Sequence, residues 1–155
     1  MSEEPTFSLN EAHIHFSTEL FTIAWEYIEQ ADERSPEEDM TMLQMAMASL
    51  WHWTQRNDVT FENLSVGHWQ VSRVYNLLKQ PNNARTYGLL ALRYAENLEN
   101  PFFRAYAYET LARSEMQANN RVVMKVYLEK ATEFGLMITD EEDRTLLFKY
   151  LSTIK

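Results

Sequence analysis

The sequence predicts an all-α protein in which about seven helices pair as antiparallel hairpins. Apolar residues recur at helical spacing along the chain, and no segment shows the sustained alternation of a β-strand. The chain has only 3 Gly and 4 Pro, too few for the frequent turns of a many-stranded β fold. Helix start and stop signals also recur along the sequence, so each helix can be justified separately.

The first two helices have strong N-terminal signals. Ser8 is a predicted N-cap with Glu11 three residues later, a capping box that opens a helix over Leu9–Gln30. Ser35 precedes a proline and three acidic residues, a pattern that favours a helix start and predicts a second helix to Gln55.

Five further helices follow from turn signals and apolar periodicity. Pro81 ends the third helix, Asn100-Pro101 separates the fourth from the fifth, and Asn119-Asn120 is a tight turn before the sixth. Gly135 is predicted to be a left-handed C-terminal cap, and Asp140 to cap the last helix. The expected ranges are about 63–80, 83–99, 101–118, 121–135 and 141–155.

Charge and composition exclude several classes of protein. The formal net charge of −9 divides into −11 up to Glu62 and +2 from Asn63 onward, which disfavours a nucleic-acid partner. The chain has no cysteine, so it forms no disulfide and no thiolate metal site. It shows no signal peptide and no apolar run of about 20 residues, so we expect a cytoplasmic protein without a membrane partner.

The central part of the chain repeats at an interval of 40 residues without a gap. Small residues recur where two helices of a hairpin approach closely, and larger apolar residues recur one turn away. A hairpin of this kind cannot bury its apolar face alone, so neighbouring hairpins must stack. The matched pairs are Val71 with Leu111, Ser72 with Ala112, Lys79 with Asn119, Ala84 with Met124, and Ala91 with Ala131.

This pattern resembles the tetratricopeptide repeat, and the likeness covers about half the chain. The first unit supplies Val71, Ser72, Tyr75, Ala84, Ala91 and Leu92, and the second supplies Tyr108, Leu111, Ala112, Leu128 and Ala131. Several positions depart from the family pattern. The turn glycine is Lys79 or Asn119, the aromatic residue of the second helix is Gly88 or Leu128, and the interval exceeds the usual length of about 34 residues.

The stretches 68–75 and 107–113 also resemble a group of uncharacterised bacterial proteins, a likeness that implies no activity. The repeat resemblance implies a right-handed solenoid fragment within one domain, residues 1–155. Its expected parts are an acidic divergent hairpin (1–62), two repeat hairpins (63–135) and a capping helix (136–155). A compact helical bundle is the alternative architecture.

In proteins of this family the first helix of each unit lines a concave groove. The resemblance therefore implies a partner-binding surface with aromatic residues and two equivalent arginines, suited to a peptide with an anionic group. Its main members are Trp69, Arg73, Asn76, Tyr106, Glu109, Arg113, Met116 and Gln117, and the same groove positions include Val66 and Leu77. The alternative is structural: Trp69 and Tyr106 pack under the first or last helix, and the arginines pair with acids of the N-terminal half.

We expect neither a cofactor nor a resident metal. His13 and His15 point about 200° apart on a helix, so they cannot share a metal from one face. His15 could share one with Glu11 or Glu19, but two ligands do not make a site. His52 and His68 are expected to be packed histidines beside tryptophans. The expected function is therefore a non-catalytic binding or scaffold module for a peptide or protein partner.

Two other functions stay open. One is a homodimer that uses the methionine-rich second helix as its contact. The other is a small-ligand protein or enzyme with a closed pocket formed by histidines and acidic residues. These functions differ in their partner: a second copy of the chain or a small molecule in place of a peptide.

Overall fold

A computed structural model describes residues 3–4 and 6–155 of the chain. This part contains seven α-helices and no β-strand, which confirms the all-α prediction. Among the described residues, no helix combines the length and apolarity needed to cross a bilayer. The helices are Leu9–Ile28 (α1), Pro36–Gln55 (α2), Phe61–Leu77 (α3), Pro81–Ala95 (α4), Pro101–Gln117 (α5), Arg121–Gly135 (α6) and Glu141–Leu151 (α7).

The predicted N-terminal caps are present. The Ser8 hydroxyl accepts a hydrogen bond from the Glu11 backbone N–H, and the Glu11 carboxylate accepts one from the Ser8 backbone N–H, both at 3.1 Å. Ser35 and Glu38 form the same reciprocal pair at the start of α2. The Asp140 carboxylate accepts from the Asp143 N–H at 2.9 Å. Local side-chain chemistry therefore fixes the start of these three helices.

Helix α6 ends at Gly135 as predicted, but the prediction that Gly135 is a left-handed cap is wrong. Gly135 is the last residue of α6, and no glycine in the described part of the chain has a positive φ. A Cβ atom at this position would lie 2.6 Å from Leu147 Cδ2, so glycine serves the close approach of α7. Gly88 replaces the family's aromatic residue for a similar reason, because its Cβ would lie 2.8 Å from Leu111 Cδ2.

Contacts between residues divide the chain into two compact units, Met1–Thr60 and Phe61–Lys155. In the first unit, α1 and α2 form an antiparallel hairpin. The Ser49 hydroxyl donates to the Ser17 carbonyl oxygen at 2.7 Å, and His13 meets His52 further along the same pair of helices. The expected organisation as one domain with three parts stays a prediction.

The second unit reproduces the interval of 40 residues in its helix boundaries. Helices α3 and α5 each have 17 residues, and α4 and α6 each have 15. The four matched pairs that lie within the helices are buried in both hairpins: Val71 and Leu111, Ser72 and Ala112, Ala84 and Met124, and Ala91 and Ala131. The pairing of Ser65 with Ala91, and of Ser72 with Ala84, shows that α3 and α4 are antiparallel. The handedness of a solenoid stays a prediction.

The turn after α3 and the turn after α5 have the same geometry. Lys79 and Asn119 have φ values of 60° and 58°, in the left-handed region where the family pattern has glycine. In each turn the next residue closes the helix end. The Gln80 N–H donates to the Tyr75 carbonyl oxygen, and the Asn120 N–H donates to the Glu115 carbonyl oxygen, both at 2.9 Å. The two turns thus preserve the glycine geometry without glycine.

Helices α3 and α5 lie side by side and are joined by buried polar residues, here called the α3–α5 polar seam (Ser72, Asn76, Thr110 and Gln117). The hydroxyls of Ser72 and Thr110 are 2.7 Å apart, and the Asn76 amide donates to both the carbonyl and the hydroxyl oxygen of Thr110. The Gln117 amide donates to the Asn76 carbonyl oxygen at 2.7 Å. Residue numbers rise together along both helices, so these two helices are parallel.

Helix α7 packs on α5 and α6. Its Leu147 side chain is fully buried, and Leu151 and Ile154 are buried as well. These apolar residues form the packing face of the last helix, and Gly135 provides the space for it.

Candidate functional site

The eight predicted site residues all lie on α3 or α5. Two of them, Trp69 and Tyr106, are 8% and 5% exposed and belong to an aromatic cluster. Their ring centroids are 5.5 Å apart, and Phe102 lies 4.5 Å from Tyr106. The adjoining cavity is about 30 Å³, room for about one water molecule. These two aromatic side chains are thus packed inside the protein.

Helix α7 covers this aromatic cluster. The Tyr106 hydroxyl donates to the carbonyl oxygen of Asp143 at 2.8 Å. Burial, with a smaller effect of the nearby Asp143 carboxylate, raises the pKa of Tyr106 well above its usual value. The phenol therefore remains protonated and anchors the start of α7.

Glu109 and Arg113 form a buried ion pair one turn apart on α5. The Glu109 carboxylate is 1% exposed and accepts from Arg113 Nε at 2.9 Å and from Nη2 at 2.6 Å. The position equivalent to Glu109 on α3 is Trp69, so the two matched arginines have different surroundings. The guanidinium of Arg73 stacks over the Tyr150 ring at 4.2 Å.

Arg113 also holds the C-terminal end of α7. Its Nη2 atom donates to the Tyr150 carbonyl oxygen at 3.0 Å and to the Thr153 hydroxyl at 2.9 Å. A cation at this end of a helix stabilises the carbonyl groups that lack intrahelical partners. Part of the face formed by α3 and α5 is therefore covered by the chain's own last helix.

A pocket of about 250 Å³ remains open beside the end of α7, and we call it the α3–α5–α7 pocket. Five of the eight predicted residues line it: Arg73, Asn76, Arg113, Met116 and Gln117. The other lining residues are Leu77, Lys79, Tyr150 and Thr153. The structure thus brings the polar members of the predicted surface together and separates them from the aromatic ones.

The charged side chains that line this pocket are all cationic. Among the described residues, Arg73, Lys79 and Arg113 line it and no acidic residue does. Glu109, which pairs with Arg113, lies outside the lining set. No ion pair involving the exposed Lys79 occurs among the described residues. The pocket therefore favours an anionic group.

Two buried acceptors in the pocket receive no hydrogen bond from the described residues of the protein. They are Asn76 Oδ1 and Gln117 Oε1. Asn76 as a whole is 1% exposed. The amide nitrogens of both side chains already donate within the polar seam. An unpaired buried acceptor costs about 1–3 kcal/mol, so each of these oxygens favours a ligand or solvent molecule that brings an N–H or O–H group.

Comparisons with protein-family models, with curated proteins and with solved structures gave no match to this chain. The resemblance to tetratricopeptide repeats, and to the bacterial group, therefore stays a prediction from the residues named above. The all-α class is given by the structure itself.

Sequence reasoning missed three residues of the pocket. Lys79 follows α3 in the turn with positive φ, and it lies three residues beyond Asn76, a spacing that places it near the same end of the helix. That spacing was a usable signal. Tyr150 and Thr153 reach the pocket through the packing of α7, and no local pattern indicates which face of the unit that helix covers.

The histidines are also arranged in a way that spacing alone did not reveal. His13 Nδ1 and His52 Nδ1 are 2.9 Å apart, within an aromatic group that includes Trp51. Burial, and then the nearby His13, lower the pKa of His52. No group of three or more metal-ligating side chains occurs among residues 3–4 and 6–155. The histidine pair is thus a link between α1 and α2.

Proposed function

We propose that this chain is a non-catalytic binding module that captures an anionic group of a peptide or protein partner in the α3–α5–α7 pocket. One observation carries the proposal: in the part of the chain that the structure describes, three cationic side chains line this pocket and no acidic one does. Guanidinium and ammonium groups bind carboxylates and phosphates through charge-assisted hydrogen bonds. Because α7 covers part of the face formed by α3 and α5, the pocket is the part of the expected groove that a partner would enter.

A small molecule with an anionic group is the second candidate ligand. The pocket volume of about 250 Å³ suits a molecule smaller than drug-sized ligands, whose pockets begin near 300 Å³. The alternative of an enzyme with histidines and acids in a closed pocket has less support. No histidine lines this pocket, and the Glu11 carboxylate, which lies beside His15 in another depression, is bonded to the Ser8 N–H.

The test uses a library of hexapeptides with free C-termini, captured on the immobilised full chain and identified by mass spectrometry. We expect captured peptides to be enriched in carboxylates relative to the input, and capture to weaken as salt increases. Lys79→Glu reverses one pocket charge and is expected to lower capture at least about fivefold. Lys125→Glu makes the same charge change at an exposed position of α6 outside the pocket and serves as the matched control.

Equal capture by both variants, or no enrichment of acidic peptides by the wild-type chain, would show that this pocket does not bind an anionic partner. The expected cytoplasmic location and the homodimer through α2 stay predictions. Light scattering on the same samples would show whether the chain forms that homodimer.

A further inference from the structure

The two unpaired amide oxygens of the pocket are fixed in orientation. The Asn76 amide nitrogen donates to the Thr110 carbonyl oxygen at 3.2 Å, and the Gln117 amide nitrogen donates to the Asn76 carbonyl oxygen at 2.7 Å. Exchanging the oxygen and nitrogen of either amide would place two acceptors against each other. The acceptor atoms, Asn76 Oδ1 and Gln117 Oε1, are therefore the atoms left without a donor.

Each acceptor lies close to a cation of the same helix. Asn76 follows Arg73 by three residues, and Gln117 follows Arg113 by four. Residues at these spacings are neighbours on one helix face, about 5–6 Å apart at Cβ. The pocket therefore presents positive charge and hydrogen-bond acceptors side by side from both α3 and α5. A fully ionised inorganic anion brings negative charge to the cationic side chains but no hydrogen-bond donor to either acceptor.

We propose that the pocket recognises an α-amino-acid group, a carboxylate with an N–H donor on the adjacent carbon. The carboxylate is held by the cationic side chains, and the N–H is accepted by Asn76 Oδ1 or Gln117 Oε1. This inference rests on the proposed function, since it names the chemistry of the captured anionic group. Such a group has two sources: a free amino acid, whose donor is an ammonium, and the C-terminal residue of a peptide, whose donor is an amide.

The test compares matched ligands on the ¹⁵N-labelled full chain. The probes are L-alanine, N-acetyl-L-alanine, propionate and inorganic phosphate, and Kd is measured from amide chemical shifts. Propionate keeps the carboxylate of alanine and lacks its N–H. We expect at least one of the two alanine probes to bind at least about tenfold more tightly than propionate and phosphate, because only they bring a donor to the buried acceptors.

The alanine probes distinguish the two sources. Tighter binding of L-alanine assigns the pocket to a free amino acid, and equal or tighter binding of N-acetyl-L-alanine assigns it to a C-terminal residue. Gln117→Met removes an acceptor with little change in side-chain length, and it is expected to reduce the preference for an alanine probe over propionate.

Three outcomes separate the two proposals. Equal binding of the alanine probes and propionate would overturn the amino-acid inference and leave the anion-binding function intact, with water as the partner of the acceptors. Binding of phosphate as tight as that of alanine would do the same. Absence of binding by all four probes, at concentrations up to tens of millimolar, would overturn both proposals.

Discussion

Single residues of this chain adopt conformations that their side chains do not favour, and Lys79 is the main case. Its positive φ of 60° costs a residue with a Cβ roughly 1–2 kcal/mol relative to the right-handed conformation. Asn119, at the equivalent turn with a φ of 58°, tolerates this region better because its short amide can bond locally. Each turn therefore carries a different amount of strain in the same backbone geometry.

Lys79→Gly is expected to raise the free energy of unfolding by up to about 1 kcal/mol. The reason is that the backbone strain relieved in the folded state exceeds the free-energy cost of the greater conformational entropy that glycine gives the unfolded chain. Asn119→Gly is the matched substitution and is expected to give a smaller gain. Urea denaturation at neutral pH measures both. A loss of stability in Lys79→Gly would mean that the lysine side chain contributes packing that outweighs the strain.

His68 links stability to pH. The side chain is 9% exposed, its Nδ1 donates to the Leu64 carbonyl oxygen at 2.7 Å, and it stacks with Tyr94. Burial lowers the pKa of His68 below the ordinary value of 6.5, so the unfolded chain takes up a proton at a higher pH than the folded chain does. The stability contribution is therefore complete above about pH 6.5 and is lost as the pH falls below it.

We expect the free energy of unfolding to decrease as the pH is lowered from 7.5 to 5. His52 contributes in the same direction, since its pKa is also lowered, chiefly by burial. The substitution His68→Gln should flatten this dependence. The exposed His15 provides the control, and an equal flattening in His15→Gln would exclude His68 as the cause.

Among the helices, the packing of α7 on its unit depends chiefly on one buried side chain, that of Leu147. Leu147 is fully buried, whereas its neighbour Leu146 is 42% exposed. Replacement of a buried leucine by alanine removes apolar contacts and leaves a cavity, at a typical cost of about 2–5 kcal/mol. Leu147→Ala is expected to destabilise the Phe61–Lys155 unit by that amount, and Leu146→Ala by less than about 1 kcal/mol.

Urea denaturation followed by far-ultraviolet circular dichroism separates these two variants. Similar midpoints for both would mean that α7 adds little to the stability of this unit. In that case α7 would be a removable cover over the α3 and α5 face.

Helix starts were predictable because their causes are local. Ser8, Ser35 and Asp140 each bond a backbone N–H within three residues, so the signal and its structural partner lie in the same short segment. Pro81 was expected to end a helix, and it is instead the first residue of α4, where its fixed φ suits a helix start. The role of Gly135 could not be predicted from the sequence, because it depends on a leucine of the next helix.

For the molecule as a whole, the predictable part of the site follows from the repeat. Equivalent faces of α3 and α5 come together, so Arg73, Asn76, Arg113 and Gln117 were expected on one surface and do line one pocket. The position of α7 follows from packing across the unit, which is why Tyr150 was missed. The same packing buries Tyr106, an environment that a helical pattern alone does not specify.

The division of the chain also leads to a prediction. Residues 61–155 hold five helices with a shared core, whereas the first unit is one hairpin. Single hairpins bury too little apolar surface to be stable alone. We expect a fragment of residues 61–155 to unfold cooperatively on heating and residues 1–60 to lack a cooperative transition, both by circular dichroism. A non-cooperative transition in the longer fragment would support the single domain expected from the sequence.

The polar seam between α3 and α5 has a mechanical consequence. Sliding one helix along the other by a single turn, about 5.4 Å, would break the bonds of Asn76, Thr110 and Gln117 together. Opposed forces on residues 61 and 117 act along these parallel axes and load the bonds simultaneously. The unit should therefore resist shear more strongly than peeling, a difference that single-molecule pulling from these two positions would measure against pulling from residues 61 and 95.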